Sequence, residues 1–181
     1  MSVLDSRFVQ LPLNEDIVSN LHAGEHILLS GTVYTARDAA HKKIVEAIEN
    51  SGELPFELEN STIYYTGPAP APPGRPVGSA GPTTSYRMDS YTPVILKAGV
   101  RGLIGKGERC AEVALAIQKY KAVYFAAIGG AGALLSERIK FCEVIAYEEL
   151  GTEAVHRLEY DNFPVIVAQD IYGGNVYGNN R

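Results

Sequence analysis

Short runs rich in β-branched and aromatic residues alternate along this chain with stretches whose apolar residues recur every three or four positions. Residues 25–35 (EHILLSGTVYT) predict a strand, bulged at its one glycine. From Asp38 to Asn50 the apolar positions Ala40, Ile44, Ala47 and Ile48 share one helical face, with Asp38 the expected N-cap and Ser51-Gly52 the stop. Residues 61–66 (STIYYT) and 100–104 predict two more short strands, and 122–128 (AVYFAAI) a buried one. Glu108–Tyr120 is the best amphipathic helix, with Cys110, Val113, Ala114, Ile117 and Tyr120 on one side. Tyr86–Ala98 is helical in pattern, with Pro93 forcing a kink or a fresh start. A glycine run at 129–132 opens a helix through Ile139; strands follow at 143–147 and 165–169, with 155–160 an edge strand between them. At the ends, 1–13 read as an irregular arm, Asn14 caps a short helix over 15–21, and the tail after Asp170 reads as frayed. Repeated alternation of strand and helix predicts a single α/β domain over 1–181 with some parallel pairing.

One stretch breaks the pattern. Residues 67–82 hold prolines at 68, 70, 72, 73, 76 and 82, which predicts a long loop of the kind used for function or docking. It runs into Gly81-Pro82-Thr83-Thr84-Ser85-Tyr86-Arg87-Met88-Asp89. There the hydroxyls are expected to cap a helix, and Arg87, four residues after Thr83, shares a side with it. Such a helix start suits a carboxylate or phosphate; equally, it is a capped helix with a surface arginine.

Composition narrows the function. With 46% hydrophobic and 20% charged residues the chain is that of a globular protein, and a net charge of −5 argues against a nucleic-acid-binding module. No apolar run approaches the ~20 residues that span a bilayer, and the first residues lack a signal-peptide pattern, so a cytoplasmic protein is expected. The only cysteines, Cys110 and Cys142, are expected to be buried free thiols and cannot by themselves hold a zinc ion or an iron–sulfur cluster.

Nucleotide-binding motifs fail on inspection. Gly105-Lys106 has Val100 where a P-loop needs its first glycine and Gly107 where it needs Ser or Thr. The glycine run at 129–132 lacks dinucleotide-binding spacing. Three strand-to-helix junctions are more informative. Arg37-Asp38-Ala39-Ala40-His41 places Asp38 and His41 three apart, where a hydrogen bond would fix the imidazole and raise its pKa. Lys106 stands between two glycines that let a ligand approach. Together Arg37, Asp38, His41, Thr83, Arg87 and Lys106 would suit a small dianion, its carboxylates gripped by arginine forks; taken singly, each also fits a capped helix or a turn lysine.

In this order, SGTVYTARDAAHKKI, YYTGPAP, GPTTSYRMD, GVRGLIGKGE, YFAAIGGAGALL and VIVAQDIYGGNVY closely resemble the β subunit of class I (iron–sulfur) fumarate hydratase. The same chain type occurs in L(+)-tartrate dehydratase and as the C-terminal domain of single-chain class I fumarases. The resemblance covers about residues 10–177. It implies a swivelling β/β/α domain, a mixed sheet with flanking helices, that closes over a site on a partner. It also implies a partner α subunit, in an α2β2 assembly, whose three cysteines hold a [4Fe–4S] cluster acting as a Lewis acid on substrate. The reaction implied is reversible hydration of fumarate to (S)-malate, with no nucleic-acid or membrane partner. Carried onto this chain, Arg37 and Arg87 bind substrate carboxylates, and Lys106 does the same or stabilises an aci-carboxylate. Thr83 matches the general base, and Asp38–His41 the proton-handling or ordering pair. A free hydroxyl holds its proton tightly, so His41 competes with Thr83 for that role. The run GGAGALL departs from relatives that often carry a bulkier residue or a cysteine in its third or fourth place. Tartrate or mesaconate as substrate, or a non-catalytic docking or regulatory module using the loop at 67–82, are the alternatives.

Overall fold

A computed structural model describes residues 6–127 and 131–178. The elements are β1 (Arg7–Gln10), α1 (Glu15–Ser19), β2 (His26–Thr35), α2 (Asp38–Glu49) and β3 (Thr62–Tyr64). After the long loop come a 3-10 turn (Ser85–Met88), α3 (Thr92–Lys97), β4 (Gly102–Gly105), α4 (Ala111–Lys119) and β5 (Val123–Ala126). The chain continues through α5 (Gly132–Ser136), β6 (Ile139–Ala146) and β7 (Val155–Gln169).

Seven strands form one mixed sheet in the order β1-β2-β3-β4-β5-β7-β6, and β7 also pairs with β2. The pairs β2–β3, β3–β4 and β4–β5 are parallel, whereas β7 runs antiparallel to both β5 and β2. Strands β2, β3, β4, β5 and β7 therefore close into a ring, which removes their free edges.

Strand alternation sends side chains to two cores. Tyr64, Ile104, Val123 and Phe125 point into the ring with Leu29, Val33 and Phe163. Their sequence neighbours Ile63, Leu103 and Tyr124 face Ile44 of α2, Ile95 of α3 and Ile117 of α4 outside it. Burial on both faces explains why β3, β4 and β5 read as continuous apolar runs. Among the described residues no helix is long and apolar enough to cross a membrane.

Several expectations need correction. The irregular arm contains β1, a parallel strand on β2; of its four residues only Val9 is buried, too few to show a period. The helix after the glycine run stops at Ser136, and β6 begins at Ile139, earlier than Glu143. The segment 155–160 is no edge strand but the first part of the 15-residue β7, which also takes in 165–169 and pairs with β2, β5 and β6. Nor is the described part of the tail frayed: buried Asp170 accepts the N–H groups of Ala23, Tyr172 and Gly174. Neither cysteine is fully buried; Cys110, expected on the inner face of α4, is its exposed N-cap, and Cys142 is half-buried. Gly129 and Gly130 of the glycine run lie outside the described residues.

Candidate functional site

Because β2, β3 and β4 are parallel and in register (Thr35 beside Tyr64, Tyr64 beside Ile104), their carboxyl ends open onto one rim. Ligands gather at such rims in α/β sheets, where loops and helix starts meet. Four of the singled-out residues emerge within two positions of these strand ends or at the first turn of α2: Arg37, Asp38, His41 and Lys106. Thr83 and Arg87 arrive from the long loop. The N–H of Thr83 donates to the Tyr65 carbonyl at 2.6 Å, Thr84 pairs with Lys106 as a parallel bridge, and the N–H of Ser85 donates to the Lys106 carbonyl at 2.9 Å.

The local chemistry differs from expectation in three ways. Asp38 is not the N-cap of α2; Arg37 is, with no side-chain capping bond, and Asp38 opens the first turn. Asp38 does not bond to His41. It faces Arg87, whose Nε donates to Oδ1 at 3.1 Å while Nη2 stands 2.8 Å from Oδ2. The Thr/Ser run caps no α-helix: the 3-10 turn begins at Ser85 without a side-chain cap, leaving Thr83 outside it. Ser85 turns inward instead and is fully buried.

His41 is 1% exposed. Its Nδ1 lies 2.9 Å from the Arg37 carbonyl, which can only accept, so Nδ1 carries the proton and Nε2 is the bare nitrogen. Burial pushes its pKa down from 6.5 to about 4, and nearby Arg109 acts in the same direction, overturning the expected rise. The folded-state value lies below the unfolded one, so the unfolded chain takes up the proton first. This stability is complete above about pH 6.5 and is lost as pH falls towards 4, a contribution of about 3 kcal/mol. Urea midpoints measured from pH 7 to 4.5 should therefore fall for the wild type and fall less for His41→Phe. His156, also lowered by burial, leaves a residual slope of the same sign. Equal slopes for the two chains would mean that His41 takes up its proton as readily in the folded chain as in the unfolded one.

Charge at the rim is only partly answered. Arg37 Nε is 3.2 Å from Glu153 Oε1, yet it makes no aligned hydrogen bond. Arg37 Nε, Asp38 Oδ2 and His41 Nε2 are all buried without hydrogen-bond partners, an uncommon concentration in one helical turn. Among the described residues no carboxylate lies within ion-pair reach of Lys106, which is half-buried.

Beneath the rim lies a layer that the sequence did not reveal. Arg109, with no side-chain exposure, donates from Nε to Asp89 Oδ1 at 2.6 Å, from Nη2 to Thr92 Oγ1 at 2.7 Å and from Nη1 to the Tyr65 hydroxyl at 3.3 Å. The rings of Tyr65 and Tyr124 lie 5.3 and 5.0 Å from its guanidinium carbon. Tyr124 donates to the Gly107 carbonyl at 2.7 Å and shares a 2.9 Å bond with Ser85. A Cβ on Gly105 would stand 2.0 Å from Ser85 Oγ and 2.8 Å from the Tyr65 ring, so glycine is required where these segments meet. After it, Gly107 adopts φ +83°, turning the chain away beyond Lys106. The available signal was an acid, Asp89, ending one motif already chosen for its neighbours, and a base, Arg109, just past the end of another.

A family model described as the fumarase C-terminus matches residues 4–180. The anaerobic class I fumarate hydratase of Escherichia coli (strain K12) is 38% identical over 162 residues, 88% of this chain and 30% of that protein. Fumarate hydratase 2 of Leishmania major is 40% identical over 162 residues, 28% of its length. The chain thus spans under a third of these fumarate hydratases. A putative L(+)-tartrate dehydratase subunit beta of Methanocaldococcus jannaschii is 39% identical over 171 residues, covering 91% of this chain and 88% of that one. With a family model matching nearly its whole length, this chain belongs to the fumarase C-terminus family.

Proposed function

We propose that this chain is the β subunit of a hydro-lyase that interconverts fumarate and (S)-malate together with an α subunit. The observation that carries the reading is the convergence of Arg37, Thr83, Arg87 and Lys106 on the carboxyl ends of β2, β3 and β4. Two arginines and a lysine match the charge of a C4-dicarboxylate. Arg87 already presents one edge of its guanidinium to Asp38, which orients the fork and leaves the Nη1 side for substrate.

Dehydration of malate removes a proton next to one carboxylate and the hydroxyl from the adjacent carbon; hydration reverses both. Thr83 takes the proton in this reading. Its backbone is fixed to Tyr65, and its neighbour Thr84 is bridged to Lys106, so the amine can lower the cost of an alkoxide or of the aci-carboxylate. His41, neutral and without a hydrogen bond to Asp38, serves as a positioning residue that holds the Arg37 carbonyl.

The residues of this chain do not fit an iron–sulfur cluster. Among the described residues no three His, Cys, Asp or Glu side chains gather as a metal site, Cys110 caps α4, and Cys142 lies on β6. In the proposed assembly the [4Fe–4S] cluster belongs to the α subunit, with two copies of each chain. The tartrate reading rests on a specific observation: the tartrate-named relative is itself subunit-sized, matched over 88% of its length.

The test is anaerobic reconstitution with the matching α chain, following fumarate absorbance and a panel containing L(+)-tartrate and mesaconate. Fumarate turnover is expected from the pair and none from this chain alone. Robust turnover by the isolated chain would refute the division of labour, and preferential dehydration of tartrate would reassign the substrate. Full activity of the α chain without its partner would make this a docking module.

A further inference from the structure

We infer that Arg109 is a positioning residue that fixes the distance between Thr83 and Lys106; the inference rests on the hydro-lyase reading. Its guanidinium cannot touch substrate, because its side chain is wholly buried. It reaches the rim through three segments at once.

The first route is the carbonyl end of β3. Arg109 Nη1 donates to the Tyr65 hydroxyl, and the Tyr65 backbone carbonyl accepts the N–H of Thr83 at 2.6 Å. The second is the end of the Thr83–Asp89 stretch. Asp89 Oδ1 takes Arg109 Nε, and Oδ2 takes the N–H of Cys110 at 2.8 Å, so one carboxylate ties that stretch to the segment following Lys106. The third is Tyr124, whose ring also packs against the guanidinium. Its hydroxyl links Ser85 to the carbonyl of Gly107, and Ser85 in turn donates its N–H to Lys106. Thr92 Oγ1 receives the remaining arm and anchors the start of α3.

A planar fork with several fixed donors can make these bonds together; a lysine, a point charge with a flexible stem, cannot. The bland alternative is an ordinary buried ion pair that supports the fold. Buried pairs are often replaceable by well-packed apolar residues without loss of stability, so fold support and rim geometry can be separated. If the pair exists for geometry, its apolar replacement leaves a folded chain with a misplaced rim. Displacements of about 1 Å at a reacting group can cost ~10²-fold in rate.

The experiment uses the full chain, free and reconstituted with its α partner, as wild type, Arg109→Lys, and the double replacement Arg109→Met with Asp89→Leu. Each is made with and without Thr83→Ala. The expected result is a fall in kcat of ~10²-fold with KM within roughly threefold, and no further fall in the Thr83→Ala background. Amide hydrogen exchange should quicken in 83–89 and 105–110 and stay unchanged in β2 and β7. Equal losses with and without Thr83, exchange that quickens across the whole sheet, or exchange unchanged at 83–89 would each overturn the assignment. Should Arg109→Lys fail to fold, the apolar pair decides by the same readouts. Should the wild-type assembly not turn over fumarate, the hydro-lyase reading fails separately, and the exchange pattern alone decides whether Arg109 fixes the rim.

Discussion

Replacing Lys106 with alanine is expected to lower kcat for fumarate hydration in the reconstituted enzyme by at least ~10²-fold, with assembly unchanged. Arg37 and Arg87 each face an internal carboxylate, Glu153 and Asp38, whereas no acid among the described residues answers Lys106. Its charge is therefore available to whatever develops negative charge at the rim. The Lys106 backbone lies one residue beyond β4, in the bridge to Thr84, so its side chain starts from paired strand and not from a mobile loop. Stabilisation of this kind costs no rearrangement during the reaction, which is why one fixed group can carry several kcal/mol of barrier lowering. Lys106→Met keeps the stem and removes the charge, and should match the alanine variant. The exposed Lys119, on the far end of α4, serves as a control whose alanine variant keeps wild-type rates. Rates within threefold of wild type for Lys106→Ala would remove this lysine from the chemistry.

Asp89→Ala should have the largest effect on stability, a loss of about 3–5 kcal/mol. The substitution leaves the buried Arg109 guanidinium with only the neutral hydroxyls of Thr92 and Tyr65, and strips the N–H of Cys110 of its acceptor. In a chain of this size such a loss corresponds to a Tm lowered by roughly 10 °C. Asp89→Asn keeps the shape and one acceptor and should cost about half as much. Thermal unfolding followed by circular dichroism measures both. A drop of less than about 1 kcal/mol for the alanine variant would mean that water reaches the guanidinium and screens it.

What could be read from the amino acids depended on the range over which the determining contacts act. Helix α2 and bulged β2 were legible, because their apolar spacing and single glycine are local features. So was the position of Lys106 just past a strand, since a cation between two glycines after an apolar run is also a local feature. Strand β7 was read as two pieces because Asp161, Asn162 and Pro164 interrupt its pattern; tertiary pairing with β2 carries it through them. The partner of Asp38 was misassigned to the residue three positions on, when the true partner, Arg87, lies 49 positions away. The supporting layer was invisible for the same reason: Arg109 meets Asp89 across 20 positions and Tyr65 across 44, and no local periodicity encodes such meetings.

Strand β7 also has a kinetic consequence. It closes the ring by pairing His26 with Ile166, residues separated by most of the chain, and it covers the edges of β2 and β5 together. Both edges stay open until the last strand has left the ribosome. Closure of so long a chain loop is entropically costly, so the domain should fold slowly for its size. During that interval the exposed parallel strands are prone to pair with other chains, which makes refolding yield fall with protein concentration.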